Sequence, residues 1–273
     1  MKKFLAMIAA ACLLCVGAFA LTACGGNEKA DLGNVDFVVG FDAGYPPFGY
    51  MADDGSYTGF DLELAQEVCN RNGWTYSATP IDWDAKDAQL ESGAILCIWN
   101  GFTYEQREDQ YTWSKPYYRN AQVIVVKKDS DIKGVADLEC KVVMTQKGSA
   151  AAALLAEDGD CADTAKTFKS LEQIGDYNSA FMNLDSGAVD AVICDLSIAA
   201  YQTATSDQYV MLEEALNSES YAVGFLLDGE NSQALADTVT ATLLDMYKDG
   251  TIEKLCQKYA DQGVDMANWI LTE

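Results

Sequence analysis

Histidine is absent from all 273 residues, which removes imidazole acid–base chemistry, the Ser-His-Asp triad and His-ligated metals together. Cations are scarce too, with 18 Lys and Arg against 42 Asp and Glu and a formal charge of −24. A polyanionic partner would be repelled and no basic cluster offsets that charge, so nucleic-acid binding is set aside. Nine cysteines are present, yet Cys-x-x-Cys occurs only at Cys12 and Cys15, inside the apolar N-terminal run. The remaining spacings match no zinc pattern, and neither a metal nor a cofactor is expected.

What remains is the composition of a folded chain: 49% hydrophobic and 11% aromatic residues, long enough for one large domain or two lobes. Lys2 and Lys3 precede an apolar run from Phe4 to Leu21, followed by Leu21-Thr22-Ala23-Cys24 and two glycines. The run could span a membrane as a plain anchor. Small residues immediately before a cysteine instead favour a bacterial lipobox, with residues 1–23 removed as a signal peptide and Cys24 lipidated. Cleavage takes two lysines with it and moves the net charge from −24 to −26. Residues 24–34 then read as a polar tether between membrane and fold. Cys69, Cys97, Cys140, Cys161, Cys194 and Cys256 remain, either as small buried hydrophobes or as disulfide partners whose pairing the sequence leaves open.

The stretch Val38-Val39-Gly40-Phe41-Asp42-Ala43-Gly44-Tyr45-Pro46-Pro47-Phe48 reads as a strand stopping at an acid and turning through glycine and proline. Gly59-Phe60-Asp61 then opens a helix to Asn72, with Phe60, Leu64, Ala65, Val68 and Cys69 on one face and Gly73 as its stop. Strands are expected over 74–81, 94–99, 142–146, 191–195 and 221–227, and a helix from Ser232 to Lys248 with Leu235, Val239, Leu243 and Met246 as its stripe. A second loop carries Gly101-Phe102-Thr103-Tyr104-Glu105-Gln106-Arg107 and continues into Trp113-Ser114-Lys115-Pro116-Tyr117. The segment Leu90-Glu91-Ser92-Gly93-Ala94 recurs as Leu184-Asp185-Ser186-Gly187-Ala188, a helix end feeding a strand in each half.

Together these segments resemble the signatures of the polar amino acid family of solute-binding proteins, family 3 of the bacterial extracellular receptors that serve ABC importers. The resemblance runs from about Val35 to Tyr259. It implies an α/β, two-lobed periplasmic-binding-protein-like fold of type II with two hinge strands. Lobe 1 would comprise residues 35–121 and 218–273, lobe 2 residues 122–217, and the chain would cross near Ala121 to Val125 and return near Met211 to Tyr221. Two departures stand out: the second loop is one residue shorter before Arg107, and Leu96 occupies a position that is often acidic.

A free amino acid brings a carboxylate, an ammonium and a side chain, and both charges need partners once water is excluded. By the resemblance, Arg107 takes the carboxylate with its planar fork, helped by Ser149, Ala150 and Thr103. Asp195 and the carbonyl of Gly101 take the ammonium, while Asp42, Tyr45, Trp83 and Gln146 face the side chain. Each residue also has a plainer reading: Arg107 as a solvated surface charge, Ser149 as a helix N-cap, Asp195 as a turn former and Asp42 as an Asx turn. The implied protein is a lipid-anchored monomer on the outer face of the cell membrane. It passes a polar or basic amino acid to an ABC permease and catalyses nothing. The alternatives are an enzyme of the cyclohexadienyl dehydratase type on the same fold, or a ligand-sensing protein acting through a partner.

Overall fold

The computed structural model describes residues 32–273; Cys24, the signal segment and most of the tether lie outside them. Among the described residues no helix is long and apolar enough to cross a membrane.

Besides a two-stranded ribbon and a three-stranded sheet of Gly44–Tyr45, Gly49–Met51 and Tyr57–Thr58, the described residues form two five-stranded sheets, the largest of the four. In the first, Thr75–Pro80, Asp36–Phe41 and Cys97–Ile98 run parallel, and Gly224–Leu226 and Tyr111–Trp113 close the order antiparallel. In the second, Ser170–Ile174, Val142–Gln146 and Ala191–Asp195 run parallel, followed by Gln122–Lys127 and Tyr209–Ala215. The first sheet thus draws strands from both ends of the chain and the second only from its middle. Between them in sequence stands a ribbon in which Tyr118–Asn120 pairs antiparallel with Glu219–Tyr221. This is the expected α/β fold of two lobes joined by two hinge strands.

The helix Phe60–Asn72 ends, as its sequence indicates, at Gly73 in the left-handed conformation (φ 69°). Its expected apolar face is wholly buried against the first sheet, each large side chain contributing about 1.5–3 kcal/mol. The helix Ser232–Lys248 likewise buries Leu235, Val239, Leu243 and Met246.

The expected strand over 221–227 divides into Glu219–Tyr221 and Gly224–Leu226. The break has a tertiary cause: Ala222 N donates to Phe102 O at 2.9 Å and Val223 N to Ser114 Oγ at 2.9 Å, which turns the chain from the ribbon into the first sheet. The strand expected over 94–99 contracts to Cys97–Ile98, although Leu96 N still reaches Val38 O at 2.8 Å. All six cysteines of the described residues are free thiols; Cys69, Cys97, Cys194 and Cys256 are buried as small hydrophobes, and Cys140 is exposed.

Candidate functional site

The loops at the carboxyl ends of both parallel sheets face one another, the place where open α/β sheets bind ligands. Nine of the ten expected site residues line one small cavity there: Tyr45, Trp83, Gly101, Thr103, Arg107, Gln146, Ser149, Ala150 and Asp195. Its volume is about 10 Å³, room for roughly one water molecule.

Each wall is held from behind. The carboxylate of Asp61, fully buried, accepts from Gly101 N at 2.6 Å and from the Tyr117 hydroxyl at 2.8 Å, which couples the Gly-Phe-Asp segment to the second loop. Burial pushes its carboxyl up to about 7 despite those two donors. Gly101 sits at φ +57°, and a Cβ there would come within 2.7 Å of the Tyr45 ring. Gln106, in the second loop, adopts a left-handed φ of 66°, and the next residue, Arg107, lines the cavity. The Arg107 guanidinium lies 5.1 Å from the Phe102 ring and donates to Thr103 O at 3.2 Å, with no carboxylate partner among the described residues. Arg107 is half-buried.

Across the cleft, Ser149 caps the helix Ala150–Leu154 by accepting from Ala152 N at 3.1 Å. The N–H of Ala150, at the first helical position, has no intrahelical acceptor. Asp195 ends its strand buried, and Asn120 Nδ2 and Gln122 Nε2 each donate to its Oδ1 at 2.8 Å. Burial, and then the nearby Glu219 carboxylate, push the Asp195 carboxyl up to about 6.

Three of the expected site residues are engaged by partners within the protein. Asp42 does not line the cavity: Gly44 N donates to its Oδ1 at 2.7 Å, and Gln146 Nε2 to its Oδ2 at 2.6 Å. Gln146 Nε2 also donates to Gly175 O at 3.0 Å, so both of its amide protons are engaged within the protein in this structure. Thr103 Oγ1 donates to Glu219 Oε1 at 2.8 Å, so in this structure its hydroxyl proton is directed at Glu219 and not toward Arg107.

Sequence reasoning missed several residues here. Lys86, only 6% exposed, stands 5.6 Å from the Trp83 ring and 3.5 Å from Gly148 O of the opposite lobe, with burial lowering its affinity for a proton. A lysine within the first turn of the expected helix before Ser92 gave no signal of this. Lys147 and Asp84 form an ion pair between the lobes, and Gln106 Nε2 donates to Asp160 Oδ2 at 2.9 Å. Glu219 was legible only as an acid beside a strand, yet it is buried in the hinge ribbon.

A family model described as "Bacterial extracellular solute-binding proteins, family 3" matches residues 37–262. The chain is 30% identical over 264 residues to the arginine-binding extracellular protein of Bacillus subtilis, across 95% of this chain and 98% of the relative. It is 30% identical over 226 residues to the L-cystine-binding protein of Escherichia coli, across 81% of each. Among solved structures it is similar to a histidine-bound ABC uptake transporter substrate-binding protein from Streptococcus pneumoniae, with a TM-score of 0.75, 30% identity, and coverage of 84% of this chain and 94% of the other. With signatures, two-lobed topology and family match coinciding over most of its length, the chain belongs to the bacterial extracellular solute-binding proteins of family 3.

Proposed function

We propose that the protein is the extracytoplasmic receptor of an ABC importer and closes its two lobes on a polar or basic amino acid. The observation that carries this reading is one small cavity with a guanidinium free of carboxylate partners, Arg107, on one lobe and a buried carboxylate, Asp195, on the other. A zwitterion matches that pair, with its carboxylate at Arg107 and Ala150 N and its ammonium at Asp195 and Gly101 O. A few charge-assisted bonds at ~1.5–3 kcal/mol each, after the costs of closure, support affinities of about micromolar. Relatives that bind arginine, cystine and histidine support a polar or basic side chain against the Tyr45 and Trp83 rings. Lipidation at Cys24 would hold the receptor, a monomer, beside its permease.

The protein is a binding protein rather than a dehydratase. Asp195 and Glu219 are engaged by the amide donors of Asn120 and Gln122, which suits acceptors of an ammonium more than a proton donor to a ring. A thermal-shift and calorimetric series over the twenty amino acids tests both statements, run beside an assay for phenylpyruvate formation. Stabilisation by arginine, lysine, glutamine or histidine without phenylpyruvate is expected. Tightest binding by glutamate or aspartate, or turnover, would overturn the reading.

A further inference from the structure

The expected site accounts for Asp195 but not for the side chains that hold it. Asn120 Nδ2 donates to Asp195 Oδ1 at 2.8 Å and to Glu219 Oε1 at 2.5 Å. Gln122 Nε2 donates to the same two oxygens, at 2.8 Å each. Each amide has only two protons, so both are consumed and the four side chains close a ring. Glu219 Oε1 also accepts from Thr103 Oγ1 at 2.8 Å, and its Oε2 from Asn217 Nδ2 at 2.8 Å. Both acids are 4% exposed. One carboxylate on the returning hinge strand thus gathers Thr103 of lobe 1, the crossing strand at Asn120, and Gln122 and Asp195 of lobe 2.

We infer that Glu219 is a positioning residue of the ammonium subsite, fixing Asp195 through the shared Asn120 and Gln122 amides while tying Thr103 of the opposite lobe to the same carboxylate. The inference rests on the amino-acid site proposed above. The ring uses only Asp195 Oδ1, and the Tyr45 hydroxyl also hydrogen-bonds the Asp195 carboxyl, so a ligand cation would meet Asp195 beside the Tyr45 ring while Oδ1 stays locked. Glu219 also acts through charge. The hydroxyls of Tyr45, Tyr177 and Tyr221 and the Cys194 thiol face Asp195, Glu105 lies behind through Ser220, and Arg107 lines the same cavity. An ammonium therefore enters a pair of neighbouring acids. With Asp195 at about 6, ligand binding at or below that pH expels a proton.

Glu219→Gln and Glu219→Ala separate the two contributions. Glutamine keeps an oxygen for Asn120, Gln122 and Thr103 but removes the charge; alanine removes both. With L-arginine as the probe, calorimetry from pH 5 to 8 in buffers of different ionisation enthalpy should give a lowered acid limb and less proton release for Glu219→Gln. Glu219→Ala should lose about tenfold in affinity at every pH. A carbon-13 titration of the Asp195 carboxyl in the ligand-free protein reads the same coupling without a ligand, and should move to lower pH in Glu219→Gln. An Asp195 titration unchanged by Glu219→Gln overturns the inference. So does wild-type affinity in Glu219→Ala. Failure of wild-type protein to bind any amino acid would instead count against the proposed function, with the ligand-free titration still deciding the role of Glu219.

Discussion

Gln146 Nε2 donates to Asp42 Oδ2 at 2.6 Å, joining the carboxyl end of a strand in one sheet to the end of a strand in the other. The bond exists only while the lobes are together, so it belongs to the energy difference between closed and open states. We predict that Asp42→Ala or Gln146→Ala weakens amino-acid binding about tenfold, from the loss of a charge-assisted bond of ~1.5–3 kcal/mol. Small-angle scattering should show a larger radius of gyration for the ligand-free variants than for wild type. Unchanged affinity together with an unchanged radius would show that the bond does not contribute to closure.

The charges that face the cavity should matter more. Arg107→Ala and Asp195→Ala are each predicted to lower affinity by well over tenfold, because a ligand charge enclosed without its partner costs ~3–5 kcal/mol. Calorimetry on the two purified variants checks this. Wild-type binding in either would remove that residue from the site.

Stability of the ligand-free protein should fall as pH rises from about 4 to about 7. Asp61 keeps its proton up to about 7 in the folded chain, whereas an unfolded aspartate loses it near 3.9. Across that window the folded state binds more protons, so stability drops with pH at up to about 1.4 kcal/mol per unit for this group. Asp195, at about 6, adds the same sign over the lower part of the window. Denaturant titrations between pH 4.5 and 7 should show the slope, and Asp61→Asn should flatten it. A profile identical in the variant would contradict the assignment.

Gly101→Ala should damage site and fold together. Its φ of +57° disfavours any side chain, and the added Cβ would press on the Tyr45 ring at 2.7 Å and the Tyr221 ring at 3.2 Å. A loss of about 1–3 kcal/mol in stability is expected, with weaker binding in the folded fraction. Full thermal stability and full affinity would mean that the loop rebuilds without strain.

The sequence made the local elements plain and the cross-lobe ones obscure, for a physical reason. The helix Phe60–Asn72 is written in a 3.6-residue period and a glycine stop, both local signals. Nothing local marks the break after Tyr221, which is set by Phe102 O and Ser114 Oγ, or the capture of Asp42 by a glutamine 104 residues later. Cavity residues were legible by resemblance because they cluster in the loop signatures. Glu219 was not, since its partners Thr103, Asn120, Gln122 and Asp195 come from four separate segments.

The hinge ribbon has a consequence for how such a chain can be rearranged. Asn120 pairs with Glu219, so the residues between them leave and return through neighbouring positions about 5 Å apart. The intervening segment, with a sheet of its own, is in effect a cassette whose two ends already touch. Recombination at these two points could exchange one wall of the cleft for that of a relative without stretching the chain. The incoming segment would have to supply an amide at Gln122 and an acid at Asp195 for the ring around Glu219 to close again.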